Sequence, residues 1–479
     1  MTTDRKVLRT HLAICGASSP AGLMSALLAG MMFAGAAPAI AQDMPLPQDA
    51  PAANVAAHGD EPAAASGSTS AMSVQEEDNG GETDILSRRT ISVLLDARLS
   101  LANGSTSWVD GGLGKTRFGG TRSGDFKLRA VPVEAAVVWT PRFTRSLSAN
   151  VSGAWQRDQQ HGFDLIEAFV NYLPEQDGKV NFSGRAGLMW PEISLEHSTG
   201  GAWSVVNTIT PSAINSWVGE ETKVLGLEGT VHASFGKHDV SLTGGAFGYN
   251  DTAGTLLTFR GWALHDLKAT AFGHLPLPPR NGFMTFAQAG KTKSSIELDD
   301  RIGFYGRLAW QPPVPIGIAV FYYDNRGKPT AVNSELQWGW RTRFWNVGVN
   351  ANLGPNTKLL AQGMSGSTIM GFEQGGVNWA HTYFRSAFVL ITQDLGSGTA
   401  ITGRVEAFGT REHGSVMSPD NSEDGWALTA AVRHTFSPHV TGFVEALHVS
   451  STRGVRLDLV GVAPKEEQTV MQASVRLRL

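Results

Sequence analysis

Apolar and polar residues alternate with a period of two in one segment after another, from Ile91 to the end of the chain. In the first segment, 91–101, one parity is apolar throughout, whereas the other carries Asp96 and Arg98. Successive side chains of a β-strand point to opposite faces, so this period predicts strands with one apolar face. Because the pattern recurs up to the last residues, it predicts an all-β fold.

The connections between these segments are of two kinds. Seven are short and contain Pro, Gly or Asn, which indicates tight hairpins; they follow Trp139, Tyr172, Phe235, Trp310, Leu353, Leu395 and Phe436. The others are mostly longer and polar, at about 102–128, 158–162, 191–222, 250–301, 325–334, 365–379, 412–424 and 452–467. Seven hairpins plus the first and last segments give sixteen strands, an even number with both ends on the short-turn side, as a closed bacterial barrel requires. Residues 255–265 or 283–290 could form one more hairpin, which leaves eighteen strands as the alternative.

The composition favours a barrel in a membrane. Only 17% of the residues are charged, against about 25% in soluble domains, while the mean hydropathy of −0.11 is too low for a bundle of spanning helices. A soluble β-helix or multi-sandwich fold would need apolar residues between layers rather than a continuous apolar band. We therefore predict that residues 85–479 form a transmembrane antiparallel β-barrel with interfacial tryptophans at strand ends: Trp139, Trp155, Trp190, Trp310 and Trp426.

The N-terminus has the pattern of an export signal. Basic residues Arg5, Lys6 and Arg9 precede the apolar run 21–37, and Ala39-Ile40-Ala41 forms a small-residue cleavage site. Residues 1–41 are therefore predicted to be a signal peptide, with a short anchor helix as the alternative; the single cysteine would leave with it. Residues 42–84 are rich in Ala, Pro, Gly, Ser and acids and predict a disordered periplasmic leader. A signal peptide followed by a barrel places the protein in the outer membrane of a Gram-negative bacterium.

A barrel of this size is too wide for its side chains to fill, so it is expected to leave a water-filled channel. The alternation directs mainly arginines into this lumen: Arg129, Arg185, Arg307, Arg341, Arg343, Arg385, Arg404, Arg433, Arg476 and Arg478. The acids are fewer: Asp96, Glu134, Glu167, Glu228, Glu406 and Glu445. Rings of such charges bias a pore toward anions. The alternative is that the arginines pair with acids across the wall, as Arg404 and Glu406 could.

The connection 191–222 is the candidate constriction loop, because it is long, contains acids and has no Arg or Lys. Folded inward against an arginine-rich wall, it would create a transverse field across the pore; the alternative is an ordinary surface loop. The residues expected to carry this role are Glu192, Glu196, Trp203, Asn215, Trp217, Glu220 and Glu221.

Four segments, 139–141, 211–221, 322–326 and 475–479, together resemble the Gram-negative outer-membrane porin superfamily and are similar to the phosphate-selective porin group. The resemblance covers about residues 85–479. It implies a sixteen-stranded, usually trimeric barrel for passive diffusion. Phosphate-selective members carry basic residues on the constriction loop, which 191–222 lacks. The last strand looks like the one that barrel-assembly machinery recognises, although the chain ends in Leu479 instead of an aromatic residue.

The sequence thus predicts a porin for small hydrophilic solutes and ions, surrounded by outer-membrane lipid and forming a homotrimer. The alternatives are a substrate-selective anion channel of the phosphate type and a plugged barrel acting as a surface enzyme or adhesin. No catalytic activity, cofactor or metal is expected, because the His, Ser and Asp residues lack the spacing of a dyad or a ligand set. Acids and bases nearly balance in the barrel, so a nucleic-acid partner is not expected.

Overall fold

The computed structural model describes residues 83–175, 178–197, 205–414 and 420–479. The predicted signal peptide and nearly all of the predicted leader lie outside these residues, as does Trp203 of the candidate constriction loop. The last leader residues, Thr83 and Asp84, are bound to the start of the barrel wall. Asp84 and Arg142 exchange two backbone hydrogen bonds of 2.8 and 2.9 Å, and Thr83 Oγ1 donates to Phe143 O.

Sixteen antiparallel strands form one closed barrel, and the first strand pairs with the last. This confirms the predicted fold class and strand number. Every strand pairs with its neighbours along the chain, so the order around the wall is the order in sequence. The strands are β1 Ile91–Ala102, β2 Lys127–Trp139, β3 Leu147–Gln156, β4 Asp164–Tyr172, β5 Val180–Met189, β6 Val224–Phe235, β7 His238–Gly248, β8 Gly303–Gln311, β9 Ile316–Asp324, β10 Arg341–Gly354, β11 Thr357–Gln374, β12 Val377–Gly396, β13 Thr399–Glu412, β14 Glu423–Ser437, β15 Val440–Arg453 and β16 Lys465–Arg478.

Residues 250–301 add no strand to the wall, so the alternative of eighteen strands is wrong. They contain two short helices, Thr255–Phe259 and Met284–Ala287, and a separate two-stranded ladder between Leu275–Pro276 and Lys291–Thr292. The apolar side chains of the first helix are buried within the molecule instead of facing outward. They therefore pack as part of an interior segment and not as a lipid-facing strand.

The predicted connection at 365–379 is also wrong, because these residues belong to two long strands. β11 and β12 continue to a two-residue turn at Gly375 and Gly376, whose φ angles are +62° and +82°. Glycine adopts such angles without the steric cost of a Cβ atom, so this pair favours a chain reversal here. Serine, threonine and glycine along these strands resemble a loop in composition but keep the strand pairing.

A register shift in the first strand pair explains one irregularity of the alternation. Asp96 lies opposite Glu134, but the next residue, Ala97, lies opposite Pro132, so Val133 is an extra residue in β2. Such a bulge reverses the parity of the strand. As a result Arg129 and Glu134, although of opposite parity, both reach into the lumen.

The outer face of the wall is apolar and exposed. Outward positions include Leu99, Phe182, Leu227, Leu308 and Trp345, each between 49% and 66% exposed. Of the predicted interfacial tryptophans, Trp310 is 41% exposed on this face, whereas Trp190 is 1% exposed and lies inside. Among the residues that the structure describes, no helix is long and apolar enough to cross a bilayer.

The lumen is filled largely by three connections: 103–126, the described residues of 190–223, and 249–302. An aromatic cluster forms its centre, where the Trp217 ring lies 5.3 Å from Phe344 of β10 and 5.2 Å from Phe384 of β12. Trp262 of the third connection lies 6.0 Å from Trp217. The inner face is thus partly apolar, which differs from the simple expectation of a polar lining.

Candidate functional site

A cleft with several charged side chains remains between the filling of the lumen and one sector of the wall, formed by β1, β2 and β16. It contains a cavity of about 60 Å³. The alternation of β1 points Asp96 and Arg98 into it, and β16 contributes Arg476. Asp266 and Lys268 come from the third connection. The charged lining residues are Asp96, Glu134, Asp266, Arg98, Lys268 and Arg476.

Arg98 and Asp266 make the central contact of this cleft. The Arg98 guanidinium donates to Asp96 Oδ2 at 2.7 Å and to Asp266 Oδ2 at 2.5 Å. Arg117 of the first connection donates to Asp266 Oδ1 at 3.0 Å and to Asp158 Oδ2 at 2.8 Å. Burial by itself would raise the pKa of Asp266, but the two guanidiniums hold it well below its usual value. Asp266 therefore stays ionised and joins two loops to the wall.

A second, smaller cavity of about 10 Å³ also borders this contact. It shares Arg98 and Asp266 with the larger cavity and is otherwise lined by residues such as Thr116, Phe118 and Gln472. A volume of this size holds about one water molecule. The Arg98–Asp266 contact thus borders both cavities.

The candidate constriction loop docks inside the barrel, against β13, β14 and β15. Glu445 accepts hydrogen bonds from the backbone N–H groups of Ile209 (2.6 Å) and Thr210 (3.0 Å). Glu406 accepts one from Ala213 N at 2.7 Å. Arg404 contacts Glu196 of the loop at 3.1 Å. Carboxylates of the wall therefore satisfy backbone donors that lead into the loop helix, Ala213–Glu221.

That helix begins at Ser212, whose hydroxyl accepts a hydrogen bond from Asn215 N. All of its residues are buried, including Asn215 and Trp217. The loop helix consequently lies in the lumen as a packed element and presents no side chain to open solvent.

The acids of this loop are paired in direct contact. Glu220 binds Arg260 through two hydrogen bonds of 2.6 and 2.7 Å, and His265 Nε2 lies 2.8 Å from the same carboxylate. Glu221 accepts from Trp217 Nε1 at 2.7 Å and from Leu256 N at 2.9 Å. The expected field between an acidic loop and a basic wall across water is therefore not formed. These charges instead hold the second and third connections together.

Glu192, the first acid of the loop, lies 3.6 Å from Arg307 of β8. With Glu196 on Arg404, two of the predicted loop acids contact predicted lining arginines directly. Trp203, the remaining loop residue of the prediction, is outside the described residues.

Nine of the predicted lining residues reach the inner side of the wall, where they contact loops or other inward side chains. Arg185, for example, forms a two-pronged contact with Glu228 at 2.7 and 2.9 Å. Only Glu134 and Arg476 of these nine line the larger cavity. The nine are Arg129, Arg185, Arg307, Arg404, Arg433, Arg476, Glu134, Glu167 and Glu406. Arg478 lies at the end of β16, where its N–H donates to His439 O at 2.9 Å.

Three predicted lining residues point away from the lumen. Arg341, Arg343 and Arg385 are exposed and alternate with the inward Phe344 and Phe384 of their strands. The physical reason is that, at this level of β10 and β12, the aromatic side chains of the central cluster occupy the inward positions. The polar parity is then left on the outside, so the prediction that these arginines line the pore is wrong.

The sequence reasoning missed most of the charged groups that the structure brings together. Arg98 was visible on the polar parity of β1, but Asp266, Lys268 and Arg117 lie in connections without any period. A second buried group was missed as well, in which Glu423 of β14 contacts Lys115, lies 3.6 Å from Arg453 and 3.8 Å from Arg456. Only the tertiary fold shows which of these residues meet.

Comparison with known proteins identifies no family. No family model matches the sequence, and no curated protein matches it either. Among solved structures, the outer membrane channel DcaP of Acinetobacter baumannii has a TM-score of 0.48 at 10% identity, covering 83% of this chain and 100% of that chain. The anion-selective porin from Comamonas acidovorans has a TM-score of 0.45 at 10% identity, with the same coverage. A loop-deletion mutant of OmpT, an outer membrane protein of Vibrio cholerae, has a TM-score of 0.45 at 9% identity, covering 81% and 99%. Structural similarity at this level adds no evidence to that from the strand pairing, which by itself defines the barrel.

Proposed function

We propose that this chain is an outer-membrane porin that lets small hydrophilic solutes and ions diffuse along the cleft beside β1, β2 and β16. The observation that carries the proposal is the cleft itself. Six charged side chains line its cavity at one wall sector, while aromatic side chains pack in the centre of the lumen. The apolar outer face fits a bilayer, and the closed wall leaves no strand edge in lipid. The short turns then face the periplasm and the long connections face outward.

In this proposal the Arg98–Asp266 contact is the narrowest point of the path. It joins β1 to the third connection, and both of its residues line both cavities. Breaking it would connect the two spaces. Wild-type conductance is accordingly expected to be small, since the described conformation holds this contact closed.

Recording the purified full chain in a planar bilayer tests the proposal. We expect stepwise conductance, and larger steps for Asp266→Ala. This substitution is suitable because Arg98 keeps Asp96 as a partner and Arg117 keeps Asp158. Glu228→Gln is the matched control, a carboxylate paired with Arg185 outside the cavity lining, and should leave the step size unchanged. If neither the wild type nor Asp266→Ala conducts, the proposal fails.

Weak ion preference is expected for this path. The larger cavity is lined by three acids, Asp96, Glu134 and Asp266, and by three bases, Arg98, Lys268 and Arg476. The bases contact these same acids, as in the Lys268–Glu134 and Arg476–Asp96 pairs. A reversal potential near zero in a potassium chloride gradient would agree. A strong anion preference would favour the phosphate-type alternative.

The filled lumen favours one second candidate, a plugged barrel that acts through its outer loops. In that case the wild type would not conduct, and Asp266→Ala would not conduct either, whereas removal of residues 255–290 would open a large pore. We further propose that the porin forms a homotrimer and is surrounded by outer-membrane lipid. Barrel-assembly machinery would insert it by recognising β16. Crosslinking in native membranes would test the trimer.

A further inference from the structure

Four arginines stand on the outer face of the wall. Three of them lie within three residues of a strand end, whereas Arg385 is the ninth residue of β12. We call Arg341 and Arg343 of β10, Arg385 of β12 and Arg411 of β13 the outer arginine patch. The side chains of Arg341, Arg385 and Arg411 are 47%, 66% and 50% exposed. Arg343 is exposed as well.

The pairing register brings the patch together. Arg343 lies opposite Ser367, which lies opposite Tyr383, and Tyr383 lies opposite Arg411. Arg385 is in the adjacent row, where Trp345 lies opposite Ser365 and Ser365 lies opposite Arg385. Neighbouring strands are about 4.8 Å apart, so the patch extends over four strands, a width of about 14 Å.

Positive charge exceeds negative charge within the patch. Arg341 lies 3.4 Å from Asp324, a residue that is only 5% exposed. Asp424 contacts Arg411 and lies 3.9 Å from Arg385. Arg343 forms no ion pair with any of the described residues. Four bases therefore share two acids on a surface open to the surroundings.

The opposite side of the barrel shows that such charges are not a general feature of the outer face. The outward positions of β3 to β8 carry no Arg, Lys, Asp or Glu within the described chain; they are Leu, Val, Ala, Gly and aromatic residues, with His238 at the start of β7. An arginine on the lipid face costs about 2–4 kcal/mol at the bilayer midplane and about 0–1 kcal/mol near the interface. The patch therefore belongs at the headgroup level, where Trp345 and Tyr322, 4.7 Å apart, supply an interfacial aromatic pair.

We propose that the outer arginine patch binds the phosphate groups of an anionic lipid in the outer leaflet. This rests on the proposed function only in that the barrel is embedded with its long connections outward. Guanidinium groups bind phosphate through two parallel hydrogen bonds, and several of them on one surface can hold more than one phosphate. The ligand is a lipid because the patch lies on the face that the acyl chains cover.

The test uses the full chain in phosphatidylcholine nanodiscs, titrated with purified lipid A, a phosphate-bearing diglucosamine lipid. We expect saturable binding to the wild type. Arg343→Gln and Arg385→Gln should each weaken it about fivefold, and the double variant about 25-fold, at roughly 1 kcal/mol per basic group. Lys465→Gln is the control, since Lys465 is 68% exposed at an outward position of β16 but pairs with Glu467 at 2.9 Å. It should bind as the wild type does.

Equal affinity of the double variant and the wild type would overturn the proposal. So would a wild type that binds dephosphorylated lipid A as tightly. If the double variant instead separates oligomers with unchanged lipid affinity, the patch contacts a second copy of the chain and the lipid proposal is wrong. Conductance in phosphatidylcholine bilayers should be the same for the double variant and the wild type, so failure of the porin proposal would be seen separately.

Discussion

The arginines inside the barrel and those on its outer face differ in exposure and in their pairing with carboxylates. Arg98, Arg260 and Arg404 have side chains that are at most 2% exposed, and each contacts a carboxylate within 3.1 Å. Arg385 and Arg411 are half or more exposed, and both share the single carboxylate of Asp424. The same residue type therefore has a different task on each side of the wall.

An ion inside a protein costs several kcal/mol unless a partner of opposite charge compensates for it. This cost explains why the inner arginines are matched so closely: without their acids the loops could not pack in the lumen. An exposed arginine pays little for lacking a partner. The fold is therefore expected to depend less on the outer arginines than on the inner ones.

The largest expected effect is the loss of an inner arginine. Arg260→Ala leaves Glu220 buried with only His265 beside it and removes the guanidinium that lies 4.5 Å from the Trp108 ring. Breaking one side of a buried pair costs about 3–5 kcal/mol. We expect the free energy of unfolding, measured by urea titration in lipid vesicles, to fall by that amount.

Arg411→Ala is the comparison for this measurement, because it removes the same side chain from the outer face. If Arg260→Ala costs no more than Arg411→Ala, the contrast between inner and outer arginines has no energetic basis. The double variant Arg260→Ala/Glu220→Ala should recover part of the loss, since it leaves no buried carboxylate without its partner.

Lowering the pH should weaken the inner contact between Glu220 and Arg260 over a defined pH range. Burial alone would raise the pKa of Glu220, but Arg260 and His265 lower it from 4.5 to about 2. As the pH falls, Glu220 is therefore protonated in the unfolded chain before it is protonated in the folded one. The stabilisation from this contact is complete above pH 4.5 and is lost as the pH falls toward 2. The difference corresponds to about 3 kcal/mol. Urea titrations across this range should show the loss, and Glu220→Gln should show a smaller one. An identical pH dependence in both would contradict the assignment.

The alternation predicted the barrel because every strand of a closed wall has one face toward the surroundings. In β1 and β16, at the seam, the period is nearly unbroken, and strand number and closure follow from it. The same reasoning failed at Arg341, Arg343 and Arg385, where both faces are partly apolar. There the parity does not show which side is the lumen, because that depends on what fills it.

The cleft could be predicted only in part. Asp96 was recognised as an inward acid, since it lies on a regular strand. Asp266 and Lys268 lie in a connection whose course inside the barrel is set by contacts with residues far away in sequence, such as Arg98 and Glu134. No local pattern of residue types indicates such contacts. The charged residues that form the cleft can therefore be identified only from the folded structure, whereas the barrel itself can be predicted from the sequence.

The smallest expected effect is on the outer face. Arg385→Gln removes a 3.9 Å contact with Asp424 between two side chains that are 66% and 58% exposed. Exposed pairs contribute about 0–1 kcal/mol, and Arg411 remains beside Asp424. We expect the free energy of unfolding in phosphatidylcholine vesicles to change by less than about 0.5 kcal/mol. Repeating the urea titration in vesicles that contain lipid A sharpens the comparison, because a bound ligand stabilises only the folded barrel. The free energy of unfolding of the wild type should then rise by more than that of Arg385→Gln. An equal rise would mean that Arg385 does not contribute to lipid A binding.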